Sequence, residues 1–464
     1  MSNYWTGKPI LIIGAARQGL ALARFLAGRG AQVTLNDQRQ PEAVQAAIQS
    51  LAGLPVRWVL GEHPLNLLDN CALVCVSGGV PLDLPILLEA QRRGIALSND
   101  SQIFMDAVRA PVIGITGSAG KTTTTTLVGR MMAADVAATE GRRAWIGGNI
   151  GLPLVEYLDE IQPTDRIVVE FSSFQLELMT RSPQVAAVLN ITPNHLDRHG
   201  TLEAYTAAKA RILAYQSPEQ VAVLNREDPG SWGLRGMVRG QLLTFGFNRP
   251  QTGLSGTFLD GDRLFFCDAA GQEAELMTRD LVLLRGEHML LNVLAACAIA
   301  CAAGLPVAAM QAGVRDFQGV PHRLEWVHRW HGADWYNDSI ATAPERTMAA
   351  IRAFDEPLVL LLGGRDKNLP WEKLTELVHQ RVDHVVVFGE AAGLILQAIG
   401  PLRPGSRLQT IHHQAGLHDA VLAAAEVVQP GHVVLLSPGG TSYDAFNDFE
   451  ERGERFREWV KGLR

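Results

Sequence analysis

The residues with the most explicit chemistry lie between Pro111 and Thr126, P-V-I-G-I-T-G-S-A-G-K-T-T-T-T-T. In a small glycine-rich turn the backbone N–H groups can point inward at phosphate oxygens. A helix starting at the turn adds partial positive charge, and a lysine adds a full one. Lys121 is the residue to meet phosphates, and Thr122 the one to ligate Mg²⁺. The usual phosphate-loop spacing is G-x-x-x-x-G-K-[ST]. Gly114 stands one residue too far from Gly120 for that, so the working core is Gly117-Ser118-Ala119-Gly120-Lys121-Thr122, a variant P-loop. The plainer reading is a glycine turn beside a surface lysine.

Three further groups follow. Glu170 ends the apolar run I-V-V-E, and a carboxylate there is costly to bury without a partner; Mg²⁺ beside the P-loop is such a partner, because hard cations take oxygen ligands. In N-I-T-P-N-H-L-D-R-H, His195 and Asp197 are candidate ligands of metal or phosphate, or else structural hydrogen bonders. Lys209, in Y-T-A-A-K, falls on the next helical pattern, where its plain reading is a solvated lysine.

The elements that must position these groups alternate strand and helix, the pattern of α/β domains. The β-branched run Val112 to Ile115 feeds the P-loop, and the segment after Lys121 is helix-compatible to about Ala134. Upstream, residues 9 to 37 read as strand, glycine turn, helix and strand. Gly14-x-Ala16-x-x-Gly19 followed by Asp37 approximates the dinucleotide fingerprint. Ala16 stands where a glycine lets a pyrophosphate approach, which argues against NAD and for a nucleotide in another pose, with Asp37 or its neighbours at base or ribose. Ser77-Gly78-Gly79, ending L-V-C-V-S-G-G-V, is either a phosphate contact or a tight turn. Ile146 to Gly151 forms another polar-tipped glycine turn. Beyond Pro321, His322-Arg323, Asn337-Asp338-Ser339, Gly363-Gly364-Arg365-Asp366-Lys367 and Ser437-Pro438-Gly439-Gly440-Thr441-Ser442 stand at element ends and suggest one ligand face.

At 464 residues the chain should form about three domains, expected at 1–99, 100–319 and 320–464. With 41 basic against 48 acidic residues it carries no basic footprint for nucleic acid. Five cysteines without zinc spacing, and a start lacking a signal sequence, favour the reducing cytoplasm. The apolar run Met289 to Met310 is long enough to span a bilayer. Asn292 and Gly304-Leu305-Pro306 interrupt it, so it reads as a buried helix split in two.

The ordered set G-S-A-G-K-T, G-G-N-I-G, E-F-S-S-F-Q-L-E, N-I-T-P-N-H-L-D-R-H, Y-x-A-A-K, H-M-L-L-N, P-H-R-L-E and N-D-S covers nearly the whole chain and resembles the Mur ligases. The resemblance implies three α/β domains: a Rossmann-like one for a UDP-substrate, a central P-loop ATPase with a mostly parallel sheet, and a Rossmann-like C-terminal one for an amino acid. It implies ATP-dependent addition of glutamate, expected as D-glutamate, to UDP-N-acetylmuramoyl-L-alanine through an acyl phosphate, in cytoplasmic peptidoglycan synthesis, by a monomer. Two Mg²⁺ ions are implied, one on Thr122 and Glu170, the other on His195 and Lys209; lysines at the Lys209 position are carbamylated in the family. Lys121, Asn149, His195 and Lys209 would be catalytic. ATP would meet Gly117 to Thr123, Asn292, Arg323 and Asp338. The UDP-substrate would meet Gly14, Ala15, Ala16, Asp37, Gln38, Ser77, Gly78, Gly79, Asn149 and Ser172, and glutamate Thr342, Lys367, Ser442 and Phe449. Met289, Ile340 and Ala343 depart from the family pattern, where an asparagine, a lysine and an asparagine are found. Rival readings are another Mur-type or folylpolyglutamate-type ligase, a P-loop kinase or regulatory ATPase, and a non-catalytic UDP-sugar binder.

Overall fold

The computed structural model describes residues 4–138, 141–367 and 369–463, without the side chain of Asp197. Its chain divides into two compact units, Met1–Val282 with Leu291–Arg315, and Leu283–Leu290 with Asp316–Arg464. Residues 283–290 and 316–319 thus group with the C-terminal unit rather than with the expected middle segment.

The first unit holds two sheets. One is fully parallel, in the order Val56–Leu60, Gln32–Asp37, Pro9–Ile13, Leu73–Val76, Leu97–Ser98. Strands buried on both faces read as continuous apolar runs, which is why P-I-L-I-I occupies the centre. Its last four residues are at most 2% exposed. The second sheet has nine strands, with Val112–Thr116 between Val185–Val188 and Arg166–Glu170, and Ala144–Gly148 at the edge. On the other side it continues through Val221–Asn225 and Gln241–Phe245 to an antiparallel meander, Ser255–Asp260, Arg263–Cys267 and Glu273–Thr278.

The long apolar run does form two helices, Glu287–Ala302 and Val307–Val314. The chain breaks between them at Gly304, with φ of 68°, and at Pro306. Val293 through Ala300 are each fully buried, as a helix that is apolar on all sides requires. No helix among the described residues is long and apolar enough to cross a membrane. All five cysteines are free.

The second unit is a six-stranded sheet, in the order Glu325–Trp330, Ala333–Asn337, Val433–Gly439, Leu358–Gly363, His384–Phe388, Thr410–Gln414, antiparallel only at its first pair. Helices cover both faces: Leu374, Val378, Ile395 and Ile399 pack on one, Val421, Ala424, Phe456 and Val460 on the other. In all three sheets the polar turns follow the carboxyl ends of parallel strands, where open α/β sheets bind ligands.

Candidate active site

The P-loop runs from strand Val112–Thr116 into helix Lys121–Ala137, with Gly120 as N-cap in the left-handed region at φ 80°. A side chain at Gly120 would also overlap the amide of Asn292, so glycine is required twice over. Asn292, expected at the nucleotide, is thereby placed against the loop. The loop is laced to the turn after Val185–Val188: Ser118 N donates to Asn190 O at 2.9 Å, Ala119 N to Asn190 Oδ1 at 2.8 Å, and Ser118 Oγ to Thr192 O at 3.0 Å. Asn190 opens the motif N-I-T-P-N-H, but its bond to the P-loop is not legible there, because the contact lies some seventy residues away along the chain and follows from strand order alone. Thr123 is fully buried, so its hydroxyl faces the protein interior.

Glu170, 1% exposed, joins two of the predicted motifs. Thr122 Oγ1 donates to its Oε2 at 3.0 Å, and Asn149 Nδ2 donates to its Oε1 at 3.0 Å. Thr122, Glu170 and Asn149 therefore meet beside the P-loop. A buried carboxylate next to a hydroxyl at a helix N-terminus is a donor set suited to Mg²⁺.

Lys209 is no surface lysine. It is 1% exposed, and its Nζ donates to Gly117 O at 2.9 Å, the same carbonyl that Lys121 Nζ reaches at 2.9 Å. Burial, together with the charge of Lys121, pushes the Lys209 ammonium down to about 6 against the opposing pull of Glu170. His195, expected to share an ion with Lys209, has its backbone in the left-handed region at φ 53° and its ring edge-on to Phe174 at 5.3 Å. Among the described residues no group of three or more His, Cys, Asp or Glu is arranged to hold a metal. Nearby, His199 stacks on Phe174 and bonds Ser173 Oγ at 3.0 Å and Glu177 at 3.1 Å, fastening its own short helix to the segment that carries Ser173. Ser172 caps the helix Ser173–Leu176 in a capping box with Gln175.

In the first sheet, Gly14, Ala15 and Ala16 follow strand Pro9–Ile13, and Ser77, Gly78 and Gly79 follow Leu73–Val76. Gly14, at φ 99°, leaves no room for a side chain beside Ser77 and Val80. Asp37 is engaged within the protein, accepting from Ala15 N at 2.8 Å and pairing with Arg39, also at 2.8 Å. Burial alone would raise its pKa, but Arg39 and the two amides bring it down to about 2. Asp37 thus shapes the turn and aims Arg39, while Gln38 is exposed. Arg17, in the variable part of the fingerprint, donates to Asn149 O at 2.7 Å and Gly151 O at 3.3 Å, linking the two sheets of this unit.

In the second unit the predicted loops are bound to one another. Arg365 N donates to Thr441 O and Thr441 N to Arg365 O, both at 2.8 Å, and Gly439 N donates to Ala341 O at 2.9 Å. The fully buried Arg452 donates to Ser339 O at 2.7 Å and Gly440 O at 3.2 Å, and Ser339 Oγ donates to the carbonyl of Phe449 at 2.8 Å. Thr342, Lys367 and Ser442 therefore stand on one interlocked set of loops, and Phe449 opens the helix Phe449–Lys461 that Ser339 ties to it; Lys367 Nζ lies 3.3 Å from Thr342 Oγ1. Asp338 accepts from Ser437 Oγ at 2.8 Å and Leu324 N at 3.2 Å. Burial pushes its carboxyl up to about 7, against Ser437 and Arg323. His322 and Leu324, on either side of Arg323, both have positive φ, a strained turn of the kind found at ligand sites. Arg323 lines a cavity of about 300 Å³ with Met289, Trp326 and Tyr336.

Residues 8–99 match the MurD-like N-terminal domain of Mur ligases, 115–300 the Mur ligase middle domain, and 322–440 the Mur ligase glutamate ligase domain. The chain is 40% identical to the UDP-N-acetylmuramoylalanine–D-glutamate ligase of Symbiobacterium thermophilum, over 97% of each chain. It is 38% identical to that of Pelotomaculum thermopropionicum over 100% of both. Among solved structures, the UDP-N-acetylmuramate-alanine ligase MurC of Thermotoga maritima superposes with a TM-score of 0.58 at 18% identity, covering 98% of this chain and 99% of that one. MurF of Acinetobacter baumannii does so with a TM-score of 0.56 at 19%, covering 99% and 92%. These two share the three-domain α/β fold. From its sequence relatives over the full length and from its three matched domains, the chain belongs to the Mur ligases.

Proposed function

We propose that this protein joins D-glutamate to UDP-N-acetylmuramoyl-L-alanine, converting ATP to ADP and phosphate, in peptidoglycan precursor synthesis. One observation carries the reading: Glu170 unites the P-loop threonine with Asn149, in a chain collinear from end to end with proteins named for this reaction. Residues 1–99 take the UDP-substrate, 100–319 ATP, and 320–464 the amino acid. We read the protein as a cytoplasmic monomer whose partners are small molecules.

A carboxylate is a poor electrophile, so the substrate's carboxylate oxygen first attacks the γ-phosphorus of ATP, and the bond to ADP breaks. The glutamate amine then attacks the acyl carbon of the acyl phosphate. A C–N bond forms, the amine gives up a proton, and phosphate leaves. Positioning and charge neutralisation dominate such transfers. Lys121 offers the charge, the Gly117–Gly120 turn shapes the phosphate site, and Asn149 orients the acceptor carboxylate. Thr122 and Glu170 would hold one Mg²⁺, and His195 with carbamylated Lys209 a second; bound there, the ions would neutralise phosphate oxygens. The depressed pKa of Lys209 supports that modification. A neutral amine adds CO₂ by forming an N–C bond and losing a proton, which replaces an ammonium with carboxylate-like oxygens.

The test is an acceptor panel. Purified protein with ATP and Mg²⁺ should release phosphate only when UDP-N-acetylmuramoyl-L-alanine and D-glutamate are both present. Release without the amino acid would point to a kinase or ATPase. Release with another amino acid, or with a folate substrate, would overturn the acceptor or the UDP assignment.

A further inference from the structure

Lys367 is not the only cation beside Thr342. Arg346 is exposed, and its Nη1 donates to Ile340 O at 3.2 Å, on the same loop that carries Thr342. Among the described residues neither Arg346 nor Lys367 has a carboxylate within ion-pairing distance, although most arginines of this unit do: Arg285, Arg329, Arg365, Arg381, Arg407, Arg455 and Arg457 are all paired. The position is electrostatically unfavourable for a cation. Arg346 falls in the first turn of helix Pro344–Ile351, where the aligned peptide dipoles oppose a cation, and Glu345 beside it forms no ion pair with it. Burial depresses the Lys367 ammonium, and the charge of Arg346 depresses it further, so the two cations repel across the loop. An anionic ligand would relieve both costs.

We propose that Arg346 adds a second cation to the glutamate site expected at Lys367 and Thr342, pairing with one of the acceptor's two carboxylates and so selecting a dicarboxylic side chain. This rests on the glutamate-ligase reading above. Geometry carries the assignment. Thr342 Oγ1 accepts from Lys367 at 3.3 Å, Ile340 O holds Arg346 on the same turn, and Gly439 and Thr441 fix that turn and the Lys367 loop to one sheet edge. Ile340 itself contributes a carbonyl and an apolar side chain, and Arg346, whose Nη1 is held on that carbonyl, brings the positive charge to this turn. A guanidinium suits this role, because its forked donors match a carboxylate in two parallel hydrogen bonds.

The test is steady-state kinetics on the full-length protein at saturating ATP and UDP-substrate, with D-glutamate and D-glutamine as competing acceptors. Arg346→Gln should raise the KM for D-glutamate about ten- to a hundredfold, the effect of losing one charged hydrogen-bonded contact. It should narrow the preference for glutamate over glutamine by a similar factor. The KM values for ATP and for the UDP-substrate should stay within about twofold, and Arg346→Lys should recover part of the loss. If the wild type uses D-glutamate but Arg346→Gln keeps both its KM and its discrimination, the Arg346 assignment is overturned alone. If the wild type uses no glutamate at all, the reaction reading falls with it.

Discussion

Two lysines share one carbonyl at the P-loop, and their roles separate by burial. Lys121 begins the helix, whereas Lys209 is enclosed and held at about 6 by burial and by its neighbour. An unfolded lysine keeps its proton to about 10.4. Below about 6 both states carry the proton. Between about 6 and 10 the unfolded chain binds a proton that the native state does not, so across that window native stability rises with pH as far as this group is concerned. Lys209→Met removes the group and with it the slope. In CO₂-free buffer, denaturant unfolding should show wild type gaining stability relative to Lys209→Met from about pH 6 to 9. A constant difference would mean that the folded amine stays charged. The same variant should be nearly inactive, and Lys209→Ala partly rescued by acetate or formate. The position of Lys209 on its helix, after the His195 cluster, is legible in the sequence, but its burial is not: an isolated lysine in Y-T-A-A-K looks solvated until the helix is packed against strand Val112–Thr116.

At the scale of elements, the strands, the P-loop and the split apolar helix are legible because each is a local pattern of period or composition. The bonds between motifs are not, because they join residues far apart in sequence and follow only from sheet order. Arg17 is the plainest case. It looks like a variable residue in a glycine fingerprint, yet its guanidinium grips Asn149 O at 2.7 Å and Gly151 O at 3.3 Å, while Asn149 Nδ2 supports Glu170. The helix Arg17–Ala27 is thereby fastened to the turn that carries Asn149. Charged hydrogen bonds contribute about 1.5–3 kcal/mol, so Arg17→Ala should lower kcat by about ten- to a hundredfold by loosening Asn149. Affinity for an ATP analogue should change little, since no P-loop contact is removed. Unchanged kcat, or an equal loss of ATP-analogue affinity in calorimetry, would show that Arg17 does not position the turn. Arg452 and Asn190 belong to the same class, buried or partly exposed polar residues whose partners only the fold reveals.

Across the whole molecule one rule recurs on three sheets: the glycine-rich and polar turns follow the carboxyl ends of parallel strands, the edge at which open α/β sheets bind ligands. That is why the glycine-rich motifs, although spread over nearly the full chain, fall at strand ends. It also means that the ligands are separable by mutation. The turn at Gly14 and Ser77 belongs to the first sheet, whereas Lys121 and Glu170 belong to the second. Gly14 has φ of 99°, and a side chain there would press on Ser77 and Val80, so Gly14→Val distorts the first turn without touching the P-loop. Lys121→Ala removes a cation from the P-loop and leaves the first sheet intact. Calorimetry should therefore show a double dissociation. Lys121→Ala should keep the affinity for UDP-N-acetylmuramoyl-L-alanine within about twofold while turnover falls by about a thousandfold or more, the scale on which phosphoryl transfer depends on its cations. Gly14→Val should weaken the UDP-substrate at least about tenfold and leave binding of a non-hydrolysable ATP analogue near that of wild type. If either variant lost both ligands to the same degree, the assignment of UDP-substrate to the first sheet and ATP to the second would fail, and with it the division of labour on which the proposed reaction depends.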